Sequence, residues 1–301
     1  MKIRDLLAEG TAKLNNAGID NAAFDARQLL MKAYGKTSAQ LLADMNRELC
    51  QGAVGGSEPA GVAFCPGDCS ARIDFDEYIA KRAAHIPLQH IIGSTSFMGI
   101  DFTVNESVLI PRQDTETLVE LVLSKEKDKH ISVLDMCTGS GCIAVALKLL
   151  GGYESVTAAD ISKAALETAS GNGVRNNADI SFIQSDMFDN VSGSFDVIVS
   201  NPPYIPSGDI AELEPEVREH DPLTALDGGT DGLLFYRRIA EGCGKALKEG
   251  GRLYLEIGFD QAAALHAMLS SHGFDNIKVY QDLAGLDRVV TARKAGLNFI
   301  M

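Results

Sequence analysis

Tryptophan is missing from this 301-residue chain, and proline is scarce, at nine residues. No apolar run approaches the ~20 residues that a helix needs to cross a bilayer, so no membrane span is expected. The opening "MKIRDLLAEG" sets Asp5 and Glu9 among its apolar residues, which does not suit a signal peptide; a cytoplasmic protein is expected. Basic residues are outnumbered, 27 Lys and Arg against 41 Asp and Glu, for a net charge of −14. Phosphate contacts supply most of the affinity of nucleic-acid binders, and no Lys/Arg-rich run is present, so no direct nucleic-acid substrate is expected. The six cysteines have no repeating spacing and read as reduced thiols. Cys50, Cys65 and Cys69 could be three metal ligands, but a structural zinc site needs a fourth and a tighter pair; no metal is expected.

What is present is an ordinary globular composition, 46% apolar and 23% charged. The first ninety residues read as helices. Ile3, Leu6, Leu7 and Leu14 recur at helical spacing. Asn21 can cap a second helix running to Gly35, a third runs from Ser38 to Leu49, and another from about Asp74 to His85. Between the last two lies "QGAVGGSEPAGVAFCPGDCS", aperiodic and rich in breakers, read as a loop or insertion. "HIIGSTSFMGIDFTVN" reads as a hairpin around glycine turns. From about Pro111 strands and helices alternate. Strands are expected at Ser132–Met136, Val156–Ala159, Ile180–Gln184, Val197–Ser200, Arg252–Ile257, Ile277–Tyr280 and Arg288–Ala292. The expected fold is α/β, a mainly parallel Rossmann-like sheet with helices on both faces. The domains expected are 1–90 (helical), 91–110 (hairpin linker) and 111–301 (sheet).

Four motifs end consecutive strands. In "VLDMCTGSGCIAVALKLL" a strand ends at Asp135, Gly139 and Gly141 form a tight turn, and a helix follows. Such a turn lets backbone N–H groups approach a ligand, although the Lys-Ser/Thr pair of a P-loop is absent and a merely structural βα turn would look alike. Asp160, about twenty residues on, stands where a carboxylate can accept both hydroxyls of a ribose; alone it would read as a helix cap or surface acid. "IQSDMF" ends the third strand, where Asp186 could accept from an adenine amino group while Met187 packs on the ring, or the two could be a turn acid and a buried methionine. "VSNPPYIP" ends the fourth. Two prolines in sequence fix φ and donate no N–H, and Asn201 before them is held extended. The turn is stiff and offers Asn201, Tyr204 and carbonyl oxygens. Ligands of open α/β sheets bind beyond the carboxyl ends of the strands, where all four motifs fall.

Asp135 with Thr138-Gly139-Ser140-Gly141, Asp160, Ser185-Asp186 and Asn201-Pro202-Pro203-Tyr204 together resemble the class I S-adenosylmethionine methyltransferases that modify a planar –NH₂ group. "PLQHIIGSTSFMG", "VLIPRQDTETLVE", "LEPEVREHDPLTALDGGTDGL" and "DLAGLDRVV" further resemble the HemK/PrmC proteins, the N5-glutamine methyltransferases of peptide-chain release factors. The resemblance covers nearly the whole chain. It implies a seven-stranded methyltransferase sheet, S-adenosylmethionine as methyl donor with S-adenosylhomocysteine as product, and a class 1 release factor as partner of a monomeric enzyme, docked by residues 1–90. It also implies a cofactor site of Cys137, Thr138, Gly139, Ser140, Gly141, Asp160, Asp186, Met187 and Asn201, with Asn201, Pro202, Pro203 and Tyr204 at the substrate. Asn201, Pro202 and Tyr204 would be catalytic. Cys137 stands where the family usually has glycine, Gln113 where it often has proline, and Met187 where an aromatic is common. A nucleic-acid amino methyltransferase, a ribosomal-protein glutamine methyltransferase and a non-catalytic S-adenosylmethionine-binding protein would share parts of this pattern.

Overall fold

The computed structural model describes residues 1–49 and 66–296; Cys50, Cys65 and the 52–65 part of the 52–69 stretch lie outside them. The chain divides into two compact units, 1–93 and 94–301. The first holds α1 (Ile3–Asn16), α2 (Ala22–Tyr34), α3 (Ser38–Asp44), α4 (Pro66–Ala83) and α5 (Leu88–Ile92). Its core is Ile3, Leu6, Leu14, Leu29, Leu30, Phe75 and Ile79. Gly35 ends α2 in the left-handed region, and Thr37 opens α3 with a capping box to Gln40.

One cap and two boundaries differ from the expectation. The Asn21 side chain makes no capping bond. The third helix stops at Asp44 because the carbonyls of Met45 and Arg47 turn to accept the N–H groups of Arg4 and Ile3 at the start of α1, which no i−4 partner would satisfy. α4 begins at Pro66, not Asp74; proline is tolerated in a first helical turn, where its missing donor costs nothing.

The second unit opens with the hairpin β1 (Ser94–Phe97) and β2 (Ile100–Thr103), then α6 (Gln113–Lys125), β3 (Ser132–Met136), α7 (Cys142–Ala146), β4 (Ser155–Asp160), α8 (Lys163–Arg175), β5 (Ser181–Gln184) and β6 (Phe195–Ser200). It closes with α9 (Pro215–His220), α10 (Leu223–Leu226), α11 (Leu234–Ala246), β7 (Leu247–Glu256), α12 (Ala262–Ser271), β8 (Phe274–Gln281) and β9 (Asp287–Lys294). Seven strands form one sheet in the order β5-β4-β3-β6-β7-β9-β8. The first five are parallel, and β9 runs antiparallel to both its neighbours. All seven expected strands are found, most of them extended by a residue or more.

Side chains alternate across each strand and so feed two cores. Val133, Val197, Val199 and Tyr254 join Leu118, Val122 and Ile143 on one face. Leu134, Ile198, Leu253 and Leu255 join Tyr236, Ile239, Leu265 and Leu269 on the other. The chain leaves β3 for β4 on one side, and β6 lies on the other side of β3. That reversal opens a crevice at the carboxyl ends of β3 and β6. Asn172 of α8, fully buried, ties the hairpin to it. Its Oδ1 accepts from Thr103 N at 2.7 Å, and its Nδ2 donates to Thr103 O and to Ser140 O at 3.0 and 2.9 Å.

Candidate active site

A cavity of about 410 Å³ occupies this crevice. Its floor is the β3–α7 turn. The Thr138 N–H donates to Ala159 O at 3.0 Å, and the Thr138 hydroxyl to Asp135 Oδ2 at 2.5 Å. Asp135 also accepts from Ala144 N at 3.2 Å; its other oxygen is buried with no partner among the described residues. Burial pushes its carboxyl up to about 7, against the pull of Thr138 and Ala144. Cys137 sits at φ 62°, a left-handed conformation that costs a non-glycine residue about 1–2 kcal/mol.

At the end of β4, Asp160 Oδ2 accepts from Gly139 N and Oδ1 from Ser162 N, both at 2.9 Å. The N-cap of α8 is Ser162, whose hydroxyl accepts from Ala165 N. The Asp160 carboxylate is therefore braced by two backbone donors while it lines the cavity. Burial raises its pKa, and the backbone donors oppose that. At the end of β5, the Ser185 hydroxyl donates to Met187 O at 2.7 Å, and Met187 is buried beside the cavity. Asp186 is paired with Arg238 of α11 at 2.7 Å.

At the end of β6, Asn201 donates from Nδ2 to Thr115 Oγ1 of α6 at 3.2 Å. Beside it at the sheet edge stands the buried Glu256, the last residue of β7, the strand next to β6; burial pushes its carboxyl up to about 7. The Asn201 amide is thus held through its nitrogen, and Oδ1 is left as its acceptor end. Among the described residues no donor reaches the Pro202 carbonyl. Asn201 lines the main cavity and also a neighbouring one of about 390 Å³ that includes Tyr204 and Glu256.

The loop after the prolines is locked to them. Gln261 Nε2 donates to Tyr204 O at 2.9 Å and to Gly232 O at 3.3 Å. Gly232 has φ +70°, and a Cβ there would stand 2.4 Å from Tyr204 O. Arg112, from "IPRQD", pairs with the buried Asp221 of "EHDP" at 2.7 Å.

The cavity brings together Cys137, Thr138, Gly139, Ser140, Asp160, Asp186, Met187, Asn201 and Pro203. Gly141, Pro202 and Tyr204 do not line it. Gly141 caps α7 at φ 79°, and a Cβ there would lie 3.0 Å from that of Ala169; its work is the packing of α7 on α8. Pro202 is buried, and Tyr204 belongs to the adjacent cavity. Sequence reasoning does not single out Thr115, Arg238, Glu256 or Gln261. Thr115 lies within "VLIPRQDTETLVE", and Glu256 is an acid at the carboxyl end of a fifth strand, where the rule that locates the other four motifs also applies. Among the described residues no group of three or more His, Cys, Asp or Glu side chains could hold a metal, and no helix is long and apolar enough to cross a membrane.

Residues 113–213 match the family "Methyltransferase small domain", and residues 5–54 the "PrmC N-terminal domain". A release factor glutamine methyltransferase of Geobacter sulfurreducens is 39% identical over 97% of this chain and 96% of its own length. One from Agrobacterium fabrum is 39% identical over 94% of each. The chain belongs to the release factor glutamine methyltransferase family. Solved structures carry the fold further. A methyltransferase of Pyrococcus furiosus superposes with a TM-score of 0.52 at 19% identity, over 76% of this chain and 98% of its own. The catalytic domain of hMettl16, solved with an RNA hairpin, gives 0.54 at 17% over 74% and 83%. Within the chain the matched N-terminal domain precedes the matched methyltransferase domain.

Proposed function

We propose that this chain methylates the side-chain amide nitrogen of the glutamine in the Gly-Gly-Gln motif of class 1 peptide-chain release factors, using S-adenosylmethionine and so modulating translation termination. The observation that carries this is Asn201. Its amide is held through its nitrogen by Thr115 and it lines the crevice, which supports a role for its oxygen as an acceptor together with the Pro202 carbonyl that follows it in the chain. The main cavity suits the cofactor. Asp160 offers a braced carboxylate for ribose hydroxyls, Met187 an apolar face for an adenine, and Asp135 a buried acid beneath a turn that would meet a cation. Cys137, Thr138, Gly139, Ser140 and Asp186 complete the set that would hold it. When bound, the cofactor supplies an electrophilic methyl group on a sulfonium.

The protein's part is to hold and prepare the amide. An amide nitrogen is a poor nucleophile because its lone pair is delocalised into the carbonyl. Asn201 Oδ1 and the Pro202 carbonyl, accepting the two amide hydrogens, favour the localised lone pair and stabilise the positive charge that grows on nitrogen. The prolines fix the direction of those acceptors, and Tyr204 flanks the planar group. No protein base is needed for this step, because the proton leaves after the methyl group has arrived.

Residues 1–90, which include the stretch that matches the PrmC N-terminal domain, would dock the release factor, so that remote binding energy is used for positioning. A monomer in the cytoplasm suffices for this. Labelled S-adenosylmethionine, incubated with intact release factor, a Gly-Gly-Gln peptide and ribosomal proteins, should label the release-factor glutamine, located by mass spectrometry. Label on a ribosomal protein or on nucleic acid instead would overturn the reading. Removing residues 1–90 should leave cofactor binding measurable, sharply reduce methylation of intact release factor, and affect the peptide far less.

A further inference from the structure

Two apolar side chains stand in water at the carboxyl edge of the sheet, Leu283 at 98% and Phe259 at 62% exposure. Single exposed apolar residues are ordinary on a protein surface. These two differ in how they are held. Leu283 is at the tip of the turn between β8 and β9. The Asp282 side chain, 4% exposed, closes that turn. Its Oδ1 accepts from Ala284 N at 2.9 Å and from Leu286 N at 3.0 Å, and the Gly285 N–H donates to Asp282 O at 3.0 Å. Gly285 supplies the left-handed step at φ 80°. Arg288 then fastens the turn to the cavity that includes Tyr204. It donates from Nε and Nη2 to Asp282 Oδ2 at 3.1 and 3.0 Å, and its Nη1 reaches Ile257 O at 3.5 Å. Its Nη2 also lies 3.5 Å from Asp114 Oδ2, and Asp114 lines that cavity. Phe259 is on the turn that follows β7. There the Gly258 N–H donates to Gln261 Oε1 at 2.9 Å, while the nitrogen of the same amide donates to Tyr204 O at 2.9 Å. Because β7 and β8 both run antiparallel to β9, the two turns leave the sheet at one edge. The Ile257 N–H joins them, donating to Arg288 O at 2.9 Å.

We propose that Leu283 and Phe259 are a docking surface for the methyl-accepting release factor, taking an apolar patch beside its glutamine loop, in addition to the contact made by residues 1–90. The occupant follows from the place. A protein whose glutamine amide reaches Asn201 must bring the chain on either side of that glutamine across the rim of the Tyr204 cavity, and both turns are tied to that rim. Neither side chain lines the main cavity, so the cofactor is not what they meet. Their chemistry sets the kind of contact, since an apolar side chain gains by leaving water against another apolar surface. Their rigidity sets its worth. A turn already fixed by Asp282 and Arg288, or by Gln261, has little conformational freedom left to lose when a partner binds. Neither side chain touches the reacting amide in this scheme. They therefore act on capture of the partner and not on methyl transfer.

This inference rests on the glutamine-methylating reading of the site, and the test separates the two. Leu283→Ala, Phe259→Ala and the double variant are compared with wild type on intact release factor and on a short Gly-Gly-Gln peptide. Val174→Ala, at another strongly exposed apolar position, on α8, is the control. With intact release factor, each single variant should raise KM about five- to thirtyfold. Their kcat should stay near wild type, as expected for contacts made equally in the ground and transition states. The double variant should raise KM further. Peptide kinetics, the dissociation constant of S-adenosylmethionine and the melting temperature should stay at wild-type values, and V174A should match wild type throughout. A double variant with wild-type KM for intact release factor overturns the proposal, as does an equal loss on the peptide, a loss confined to kcat, or the same loss in V174A. A wild-type enzyme that leaves release-factor glutamine unmodified overturns the functional reading and this inference with it.

Discussion

The two ends of the crevice are built by different means. At the cofactor end, main chain defines the surface. The Gly139 and Ser162 N–H groups hold Asp160, and Asp135 is held by Thr138 and Ala144, with all of these residues within one βαβ unit. At the acceptor end, side chains from distant parts of the chain converge. Asn201 meets Thr115 at a separation of 86 residues, and Gln261 holds Tyr204 at a separation of 57. Local backbone gives a site that forms as the fold forms and accepts a common ligand. A side-chain assembly can be aimed at one acceptor group, and it can be spoiled without loss of the fold. The sheet is shared with methyltransferases as remote as 17–19% in identity, so specificity for the acceptor is expected to reside at the second end.

The largest test of this division is Asn201→Ala. It removes one of two preorganised acceptors, and turnover should fall by about two orders of magnitude or more, while S-adenosylmethionine binding by calorimetry should weaken much less. Wild-type turnover in a folded N201A protein would end the proposed mechanism. A comparable loss in cofactor affinity would show that the two ends are not separable.

The second test concerns the acid under the turn. Asp135 has its carboxyl pushed up by burial to about 7 from 3.8. A carboxyl whose pKa rises on folding binds its proton more tightly in the folded state. Its stabilising contribution is thus complete below pH 3.8 and is lost as the pH climbs to about 7, at about 1.4 kcal/mol per unit across that window. Asp135→Asn cannot ionise. Melting scans should therefore show the mutant gaining on wild type between pH 5 and pH 7 and changing little beyond. A constant difference across that range would mean that Asp135 stays ionised throughout.

Third in size is Asp160→Ala, which removes a charged acceptor from the cofactor end. Affinity for S-adenosylmethionine should fall by about 1.5–3 kcal/mol, with kcat at saturating cofactor little changed. Equal affinity in mutant and wild type would take Asp160 out of the site.

The same contrast governs how much of the fold and the site is legible in the amino-acid sequence. The cofactor end is legible because its parts are close in sequence. Short apolar runs mark β3, β4, β5 and β6, and each stops at a residue whose chemistry stands out: Asp135, Asp160, Asp186 or Asn201. The hairpin is legible from Gly93 and Gly99. The acceptor end is legible only as Asn201 and its prolines. Thr115, Glu256 and Gln261 are ordinary polar residues inside or next to regular elements, and only the arrangement of α6, β6, β7 and α12 brings the first two to Asn201 and the third to Tyr204. Gly141 shows the reverse case, a glycine in a binding motif whose close neighbour proves to be Ala169. The start of α4 is hidden because the breakers before it in sequence read as loop, although Pro66 itself opens the helix.

The smallest expected effect addresses a place where the cofactor end depends on a distant charged side chain. Asp186, proposed for the adenine amino group, is paired in this structure with Arg238, which lies far along the chain on α11 and itself lines the cavity wall. Both partners are partly exposed, Arg238 at 34% and Asp186 at 46%, so the pair contributes at most about 1 kcal/mol. Two consequences of removing the arginine oppose each other. The carboxylate loses a partner that helps to hold it in place, which would weaken binding of the adenine. It also loses a competitor for its oxygens, and the cavity loses a positive charge that repels a cationic cofactor. With S-adenosylmethionine bearing a sulfonium, the second pair of terms should prevail. Arg238→Ala should bind the cofactor about two- to fivefold more tightly, with the gain shrinking as salt is raised. S-adenosylhomocysteine, which lacks the sulfonium charge, should gain less. A mutant that bound both ligands more weakly would show that Arg238 holds Asp186 for the adenine, and the cofactor end would then share the side-chain design of the acceptor end.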